Sequence, residues 1–374
     1  MRSSNKRLKS SRYYTKNRKG GFGKPLKIFL YLLAVGIFAL MLLVASVGLG
    51  SAVGNRTEIY IPTGASYAQV EKTLRQSGNI KMYKFEIIAR LKRYPSCVRP
   101  GRYVLQRGAT AMSVVNKLRS GSQDEIRLTF NKVRSIPELA GIVAKQIEAD
   151  SASIVQLLEN EEFLSNFSYR VQEVDARTAV SDIPLNSQTV LSCFIPNTYY
   201  CFWNMDAEDF FRRMYREQNN FWNDFRCGQA NAAGLNRVEV MTLASIVEEE
   251  SQKKDEKADI ASVYLNRYRK GMPLQADPTI KKSVCDWNLK RILKEHLSVD
   301  SPYNTYLYKG LPPGPICTPT LSSIEAVLQN KKTDYLYFCA KPDFSGYHAF
   351  AKTYGEHLKN ARAYQKELNG MGVR

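Results

Sequence analysis

The sequence predicts an α+β protein: a single N-terminal transmembrane helix, a small βα subdomain and a larger mixed α+β domain. Three observations predict it. An uncharged apolar run covers 28–53. Short β-like and helical stretches then alternate as far as about residue 125. Beyond that helical spacing dominates, with strands expected at 126–130, 335–339 and 348–350. A length of 374 residues suits two or three domains, and an apolar fraction of 44% is that of an ordinary folded protein.

Residues 1–27 hold ten Lys or Arg and no acid, so they read as a basic cytoplasmic tail that can touch anionic lipid heads. The run at 28–53 exceeds the roughly 20 apolar residues needed to cross a lipid bilayer. Its basic flank puts the N-terminus in the cytosol and the remainder outside, as a single-pass protein. Ala52-Val53-Gly54 would pass as a signal cleavage site, but the run is longer than a signal core, which favours an uncleaved anchor. The net charge is +19, and the tail supplies ten of it. The high pI is therefore no argument for a nucleic-acid partner, and no zinc-finger or RNA-recognition signature appears.

After the anchor, 58–61 reads as a short strand and Pro62-Thr63-Gly64 as a turn. Helices are expected at 66–76, closed by Gly78, and at 83–93. A strand at 102–105 and a helix at 108–118 complete a small module spanning 55–125. The strand at 126–130 opens the larger domain, 126–374, and a helix follows at 138–147. The stretch 151–237 is expected to be helical, with one island, Cys193 to Tyr200, where aromatic residues mix with Asn197 and Thr198. Such a surface suits stacking on sugar rings, and equally an aromatic turn. All seven cysteines follow the anchor. An odd number excludes a fully paired monomer, and most are expected as small buried side chains.

The chemistry concentrates at Val238 to Ser251, V-E-V-M-T-L-A-S-I-V-E-E-E-S. Asn236 is placed to cap this helix, with Glu239 as the reciprocal capping carboxylate. At about 100° per residue, Glu250 follows Leu243 and Val247 on the apolar stripe. Glu248 and Glu249 are expected to point away, toward solvent or a groove. A carboxyl on the buried face has its pKa raised, and an acid still protonated near neutrality is what general-acid catalysis requires. A frayed helix end with three solvated glutamates is the competing reading.

A second helix is expected to run to Gly271, with Ile260, Val263, Tyr264 and Arg267 on one face. Three loop motifs follow. Leu274-Gln275-Ala276-Asp277-Pro278-Thr279 and Tyr303-Asn304-Thr305-Tyr306 offer the amides, hydroxyls and aromatics of a polar, uncharged ligand site such as a glycan cleft. Gly310-Leu311-Pro312-Pro313-Gly314-Pro315 reads as a rigid structural turn. Residues 335–339 are expected as a central strand, 348–350 as its hairpin return, and 354–368 as a final helix. The three histidines lack metal spacing, and phosphate-loop and serine-elbow motifs are missing from the sequence. Neither a metal nor a cofactor is expected.

L-A-S-I-V-E-E-E-S, L-Q-A-D-P-T, Y-N-T-Y and G-L-P-P-G-P-I, in this order, resemble the endolytic murein transglycosylases of the MltG (YceG-like) family. The resemblance covers the chain beyond the anchor and is most specific between Leu243 and Phe350. It implies a single-pass protein of the cell inner membrane, with a LysM-like subdomain at 55–125 and a catalytic domain outside the membrane. The family's catalytic glutamate precedes Thr or Ser, which here makes it Glu250, before Ser251. The implied substrate-binding set is Ser251, Gln275, Asp277, Tyr303, Asn304, Thr305 and Tyr306, with Asn197 and Tyr199 from the aromatic island. Asn197 stands where the family usually has Asp, so no charged role carries over there. The implied reaction cleaves MurNAc–GlcNAc bonds within peptidoglycan glycan strands and leaves 1,6-anhydro-MurNAc ends. It acts on nascent strands and terminates their elongation, with peptidoglycan synthases as candidate partners. A catalytically silent peptidoglycan-binding scaffold and a hydrolase pairing Glu250 with Asp277 are the alternatives.

Overall fold

The computed structural model describes residues 23–169 and 183–370. Most of the basic tail, and residues 170–182 of the stretch expected to be helical, lie outside them. The first helix, α1 (Lys24–Leu49), is 26 residues long, roughly 39 Å at 1.5 Å per residue, and is long and apolar enough to cross a membrane. It ends four residues before the apolar run does. Gly50 takes an extended conformation, and Ser51 and Val53 bridge to Thr110 and Ile80. Ala52 and Val53 are consequently buried in the protein, so apolarity over 28–53 overstated the helix.

The chain divides into two units. The smaller comprises the stretches up to Ile59, Ser66–Val98 and Val104–Ser120. Its helices are α1, α2 (Tyr67–Gln76), α3 (Met82–Leu91) and α4 (Ala111–Ser120). Ser66 caps α2 in a reciprocal box with Gln69, and Val70 and Leu74 face inward at i, i+4. Phe85, Ile88, Val114, Val115 and Leu118 complete this core. The strands β1 (Thr57–Ile61) and β2 (Gly101–Leu105) pair as a two-stranded sheet.

The larger unit contains Gly121–Arg374 and two short earlier stretches. Its first core forms around β3 (Ile126–Phe130), paired antiparallel with β6 (Asn197–Cys201). Onto it pack α5 (Ile136–Val143), α6 (Ser151–Leu158), α7 (Glu161–Ser165) and α8 (Ala207–Phe221). Between them β4 (Ser168–Tyr169) pairs with β5 (Ile183–Pro184). The second half of the aromatic island, from Asn197, is thus a strand, because β3 supplies the partner that a sequence pattern cannot display.

The second core forms around α10 (Arg237–Glu250), with α9 (Asp224–Ala233), α11 (Lys257–Arg269), α12 (Asp277–Ser283) and α14 (Leu321–Leu328). The short α13 (Lys294–Leu297) precedes the tyrosine-rich loop. The hairpin β7 (Tyr337–Ala340) and β8 (His348–Ala351) leads to α15 (Tyr354–Gly370). β7 is not a central strand. Its aromatic residues are covered by helices instead: Phe338 meets Tyr264 of α11 edge-on, and Tyr337 stacks on His357 of α15.

The proline-rich turn threads past α10. Ile316 donates its backbone N–H to Ser245, and Thr318 exchanges hydrogen bonds with Val133. A Cβ at Gly314 would lie 2.1 Å from the Gln188 carbonyl oxygen, so only glycine fits that approach. All seven cysteines are unpaired, and four of them are buried.

Candidate active site

Asn236 and Glu239 form the expected capping box at the start of α10. The remainder of the helix departs from the expected one-sided stripe. Residues from Val240 to Glu248 are buried in succession, because neighbouring helices surround α10 and leave no solvent face. Glu248 and Glu249 are therefore turned into the protein rather than away from it.

Glu248, at 4% exposed, is the most enclosed of the three glutamates. Its Oε2 accepts from Lys257 at 2.9 Å, from Ser323 at 2.6 Å and from Thr320 at 2.5 Å. Burial works against its charge, but these donors hold its pKa below the ordinary carboxylate range. Glu249 is gripped by Arg134 through two bonds of 2.9 Å and by Lys132 at 3.0 Å, which likewise hold it ionised against burial.

Glu250 is the exception. Its only side-chain hydrogen bond among the described residues is from the Tyr264 hydroxyl to Oε1, at 2.5 Å. Loss of water around the carboxyl, reinforced by the charges of Asp277 and Glu249, pushes its pKa up to about 7; the Tyr264 bond and Lys281 act in the opposite direction. Of three consecutive glutamates, one is left able to carry a proton at neutral pH.

Glu250 opens into two adjoining cavities. The first, about 290 Å³, is lined by Tyr264, Arg267, Gln275, Asp277, Tyr306 and Tyr337, among others. The second, about 410 Å³, shares Glu250 and Asp277 and adds Glu249, Lys281, Lys290 and Arg291.

The structure brings some of the expected residues to this place and not others. Gln275, Asp277 and Tyr306 line the first cavity. Gln275 holds a left-handed backbone, φ 54°, fixed by its N–H to Thr305 and by Arg267 on its side chain. Asp277 opens α12 and accepts from the Tyr306 hydroxyl at 2.6 Å. Asn304 and Thr305 are fully buried behind this wall. Asn304 ties the Leu297, Val299 and Tyr306 backbones, and Thr305 bonds Ala276 N and Thr279. Tyr303 is half-buried, with Lys282 over its ring, and burial pushes its phenol up to about 12. Ser251 closes α10, and its hydroxyl donates to Glu256 at 2.6 Å. Asn197 and Tyr199 lie on β6 in the other core. Asn197 is exposed, and Tyr199 stacks on Phe130 and donates to the Ile195 carbonyl.

The residues at the site left unassigned in the sequence include Tyr264, Arg267 and Tyr337 in the first cavity and Lys281, Lys290 and Arg291 in the second. Tyr264 and Arg267 place a hydroxyl and a guanidinium on an otherwise apolar helical face, which was the available signal. Arg267 donates to the Leu274 and Leu336 carbonyls at 2.8 and 2.7 Å, stapling the Gln275 loop to the hairpin beneath Glu250.

Similarity to known proteins spans most of the chain beyond α1 and includes this region. The model of the YceG-like family matches residues 59–363. An endolytic murein transglycosylase of Bacillus subtilis (strain 168) is 31% identical over 317 residues, spanning 83% of this chain and 85% of the relative. One from Streptococcus pneumoniae serotype 2 is 26% identical over 75% of this chain and 53% of its own length. The 2.6 Å crystal structure of a YceG-like protein from Listeria monocytogenes aligns with a TM-score of 0.52 at 26% identity, covering 82% of this chain and 98% of that one. The helix that ends in Glu250, the Gln275–Asp277 loop and Tyr306 all fall inside the matched range, and this chain belongs to the YceG-like family.

Proposed function

We propose that this protein is a membrane-anchored lytic transglycosylase that cuts murein strands internally, with Glu250 as its single acid–base residue. The observation that carries the proposal is the environment of Glu250. Its carboxyl is desolvated beside a cavity, takes one hydrogen bond from Tyr264 and is pushed up to about 7. Its neighbours Glu248 and Glu249 are neutralised by fixed donors and have no proton to give. The names of the curated relatives support the general activity.

Glu250 protonates the oxygen between MurNAc C1 and the GlcNAc leaving group. The bond breaks as positive charge develops at C1. The Glu250 carboxylate then takes the proton of the same sugar's C6 hydroxyl, whose oxygen closes onto C1. The product carries a 1,6-anhydro end, and Glu250 recovers its proton. An intramolecular nucleophile has a high effective molarity, so no second carboxylate is needed. Gln275, Tyr306 and the Tyr337 ring offer the first cavity's contacts to sugar amides, hydroxyls and faces. Arg267, Asn304 and Thr305 fix the walls that carry them. Ser251, Tyr303, Asn197 and Tyr199 support neighbouring structure or more distant strand contacts.

Asp277 favours one second reading. It lines both cavities with Glu250, and its charge acts on the Glu250 carboxyl. A carboxylate pair activates water and makes the enzyme a hydrolase. Mass spectrometry of digested glycan strands separates the readings. Anhydro-MurNAc ends are expected; reducing ends would assign hydrolysis to Glu250 and Asp277, and intact strands would leave a binding scaffold.

The remaining features complete the proposal. α1 anchors the protein with its basic flank in the cytosol, so protease added outside the membrane digests the chain beyond Asn55. The order β1–α2–α3–β2, with its two strands paired, supports a LysM-like glycan-binding module. Placed at the membrane, the enzyme meets strands as they are synthesised and ends their elongation beside the synthases.

A further inference from the structure

The second cavity carries more positive charge than a glycan stripped of its peptides, with one lactyl carboxylate per muramyl residue, calls for. Sugar rings and their hydroxyls are neutral, and the first cavity suits them with Gln275, Tyr306 and Tyr337. The second is walled by Lys281, Lys290 and Arg291. Among the described residues, none of these three side chains is engaged in an ion pair or side-chain hydrogen bond. The acids nearby do not balance all three: Glu249 is already held by Arg134 and Lys132, and Asp277, whose partner is the neutral Tyr306 hydroxyl, supplies one charge against three.

The segment that leads to Lys290 and Arg291 is held as far as Asn288. Trp287 lies against the Arg134 guanidinium, 4.6 Å from ring centroid to carbon, and that guanidinium is the one gripping Glu249. The Asp286 N–H bonds the Lys281 carbonyl, and the Asp286 carboxylate accepts the Asn288 N–H. Lys281 and the exposed Lys290 and Arg291 line a cavity of about 410 Å³ that opens onto Glu250, room for a short peptide segment.

We infer that this cavity binds the carboxylates of the peptide branch on muramyl sugars, so that the enzyme prefers peptide-bearing strands to bare glycan. The inference rests on the proposed function and specifies its substrate. A muramyl residue carries its lactyl-peptide branch next to the bond cleaved at Glu250, and a branch leaving the glycan there meets Lys281, Lys290 and Arg291. Charge-assisted bonds to carboxylate are the contacts these side chains make best.

The test uses the full-length protein in detergent and strands of matched length: with intact stems, with stems removed by an amidase and the lactyl carboxylates so exposed methyl-esterified, and with stem carboxylates methyl-esterified. The wild type is expected to show a KM about five- to tenfold lower for intact stems than for the other two, the effect of a few partly screened charge pairs. Lys290→Gln/Arg291→Gln should narrow that ratio to within about twofold, and Lys290→Arg/Arg291→Lys should restore it. Equal KM values for the three substrates in the wild type, or a ratio that survives in the Gln variant, would overturn the inference while leaving the transglycosylase reading in place. So would a preference that follows a lipid pyrophosphate on the strand's reducing end irrespective of the peptide. Failure of the wild type to cut any of the three substrates would instead overturn the proposed function, and this inference with it.

Discussion

The two cores of the larger unit are built on different terms. The one around β3 and β6 is nearly all apolar. Its buried polar residues, Thr189, Ser192 and Gln218, carry no charge. The one around α10 buries Glu248, Glu256, Lys257 and Arg267, along with Thr279, Asn304, Thr305 and Ser323. Taking an ion out of water costs several kcal/mol even after relaxation, so the second core is the less economical way to hold helices together. What it gains is direction. Each buried charge has fixed partners, and of the three glutamates that end α10 they leave Glu250 without a cation. The first core stabilises; the second positions.

The sharpest way to break this contrast is at Glu250. Glu250→Gln should lower strand cleavage by at least about a hundredfold, the scale of general-acid catalysis, with folding intact by circular dichroism. Activity within a few-fold of wild type would remove Glu250 from the mechanism. Next in size is the buried pair. Lys257→Met strands Glu248 among hydroxyls and should cost about 3–5 kcal/mol in urea unfolding. Adding Glu248→Met should recover most of that loss, yet activity should stay low, because α10 then lacks its anchor to Ser323 and Thr320. In the first core, Leu139→Ala should cost about 2–5 kcal/mol with little change in activity per folded molecule. If Lys257→Met were neutral, or Leu139→Ala disabled the chemistry, the two cores would not differ in role.

The same contrast sets what could be read in the chain. Helices of the first core and of the small unit follow apolar periodicity, and Ser66 and Asp206 mark the starts of α2 and α8 as cap chemistry requires, as Asn236 does for α10 in the second core. Phase put Glu250 on the Leu243–Val247 row, but a helix buried on every side gives phase no single face to choose, and the fate of Glu248 and Glu249 was not legible. Phase gives a direction around the helix axis but not what lies there, and their partners Lys257, Ser323, Arg134 and Lys132 come from 9 to 117 positions away in sequence. Asn304 and Thr305 suffered the reverse. Their types suit a sugar, but buried backbone groups in the loops around them had the stronger claim. Tyr264 and Tyr337, which join Gln275, Asp277 and Tyr306 in lining the cavity, sit in elements whose aromatic content reads equally well as packing.

The finest test of the positioning core is the pH dependence of Glu250. Its carboxyl binds a proton more tightly folded than unfolded, so stability should fall as pH rises from the ordinary 4.5 toward about 7, and Glu250→Gln should flatten that window. Cleavage should decline above about 7 as the acid loses its proton. Two substitutions should move this alkaline limb in opposite directions. Tyr264→Phe removes the bond that favours the ionised form, so the limb should shift to higher pH. Asp277→Asn removes a repelling charge, so it should shift to lower pH. Opposite shifts with anhydro products retained would make both residues tuners of one acid. Loss of cleavage in Asp277→Asn, with no shifted limb to measure, would make Asp277 a participant in the reaction and favour the two-carboxylate hydrolase.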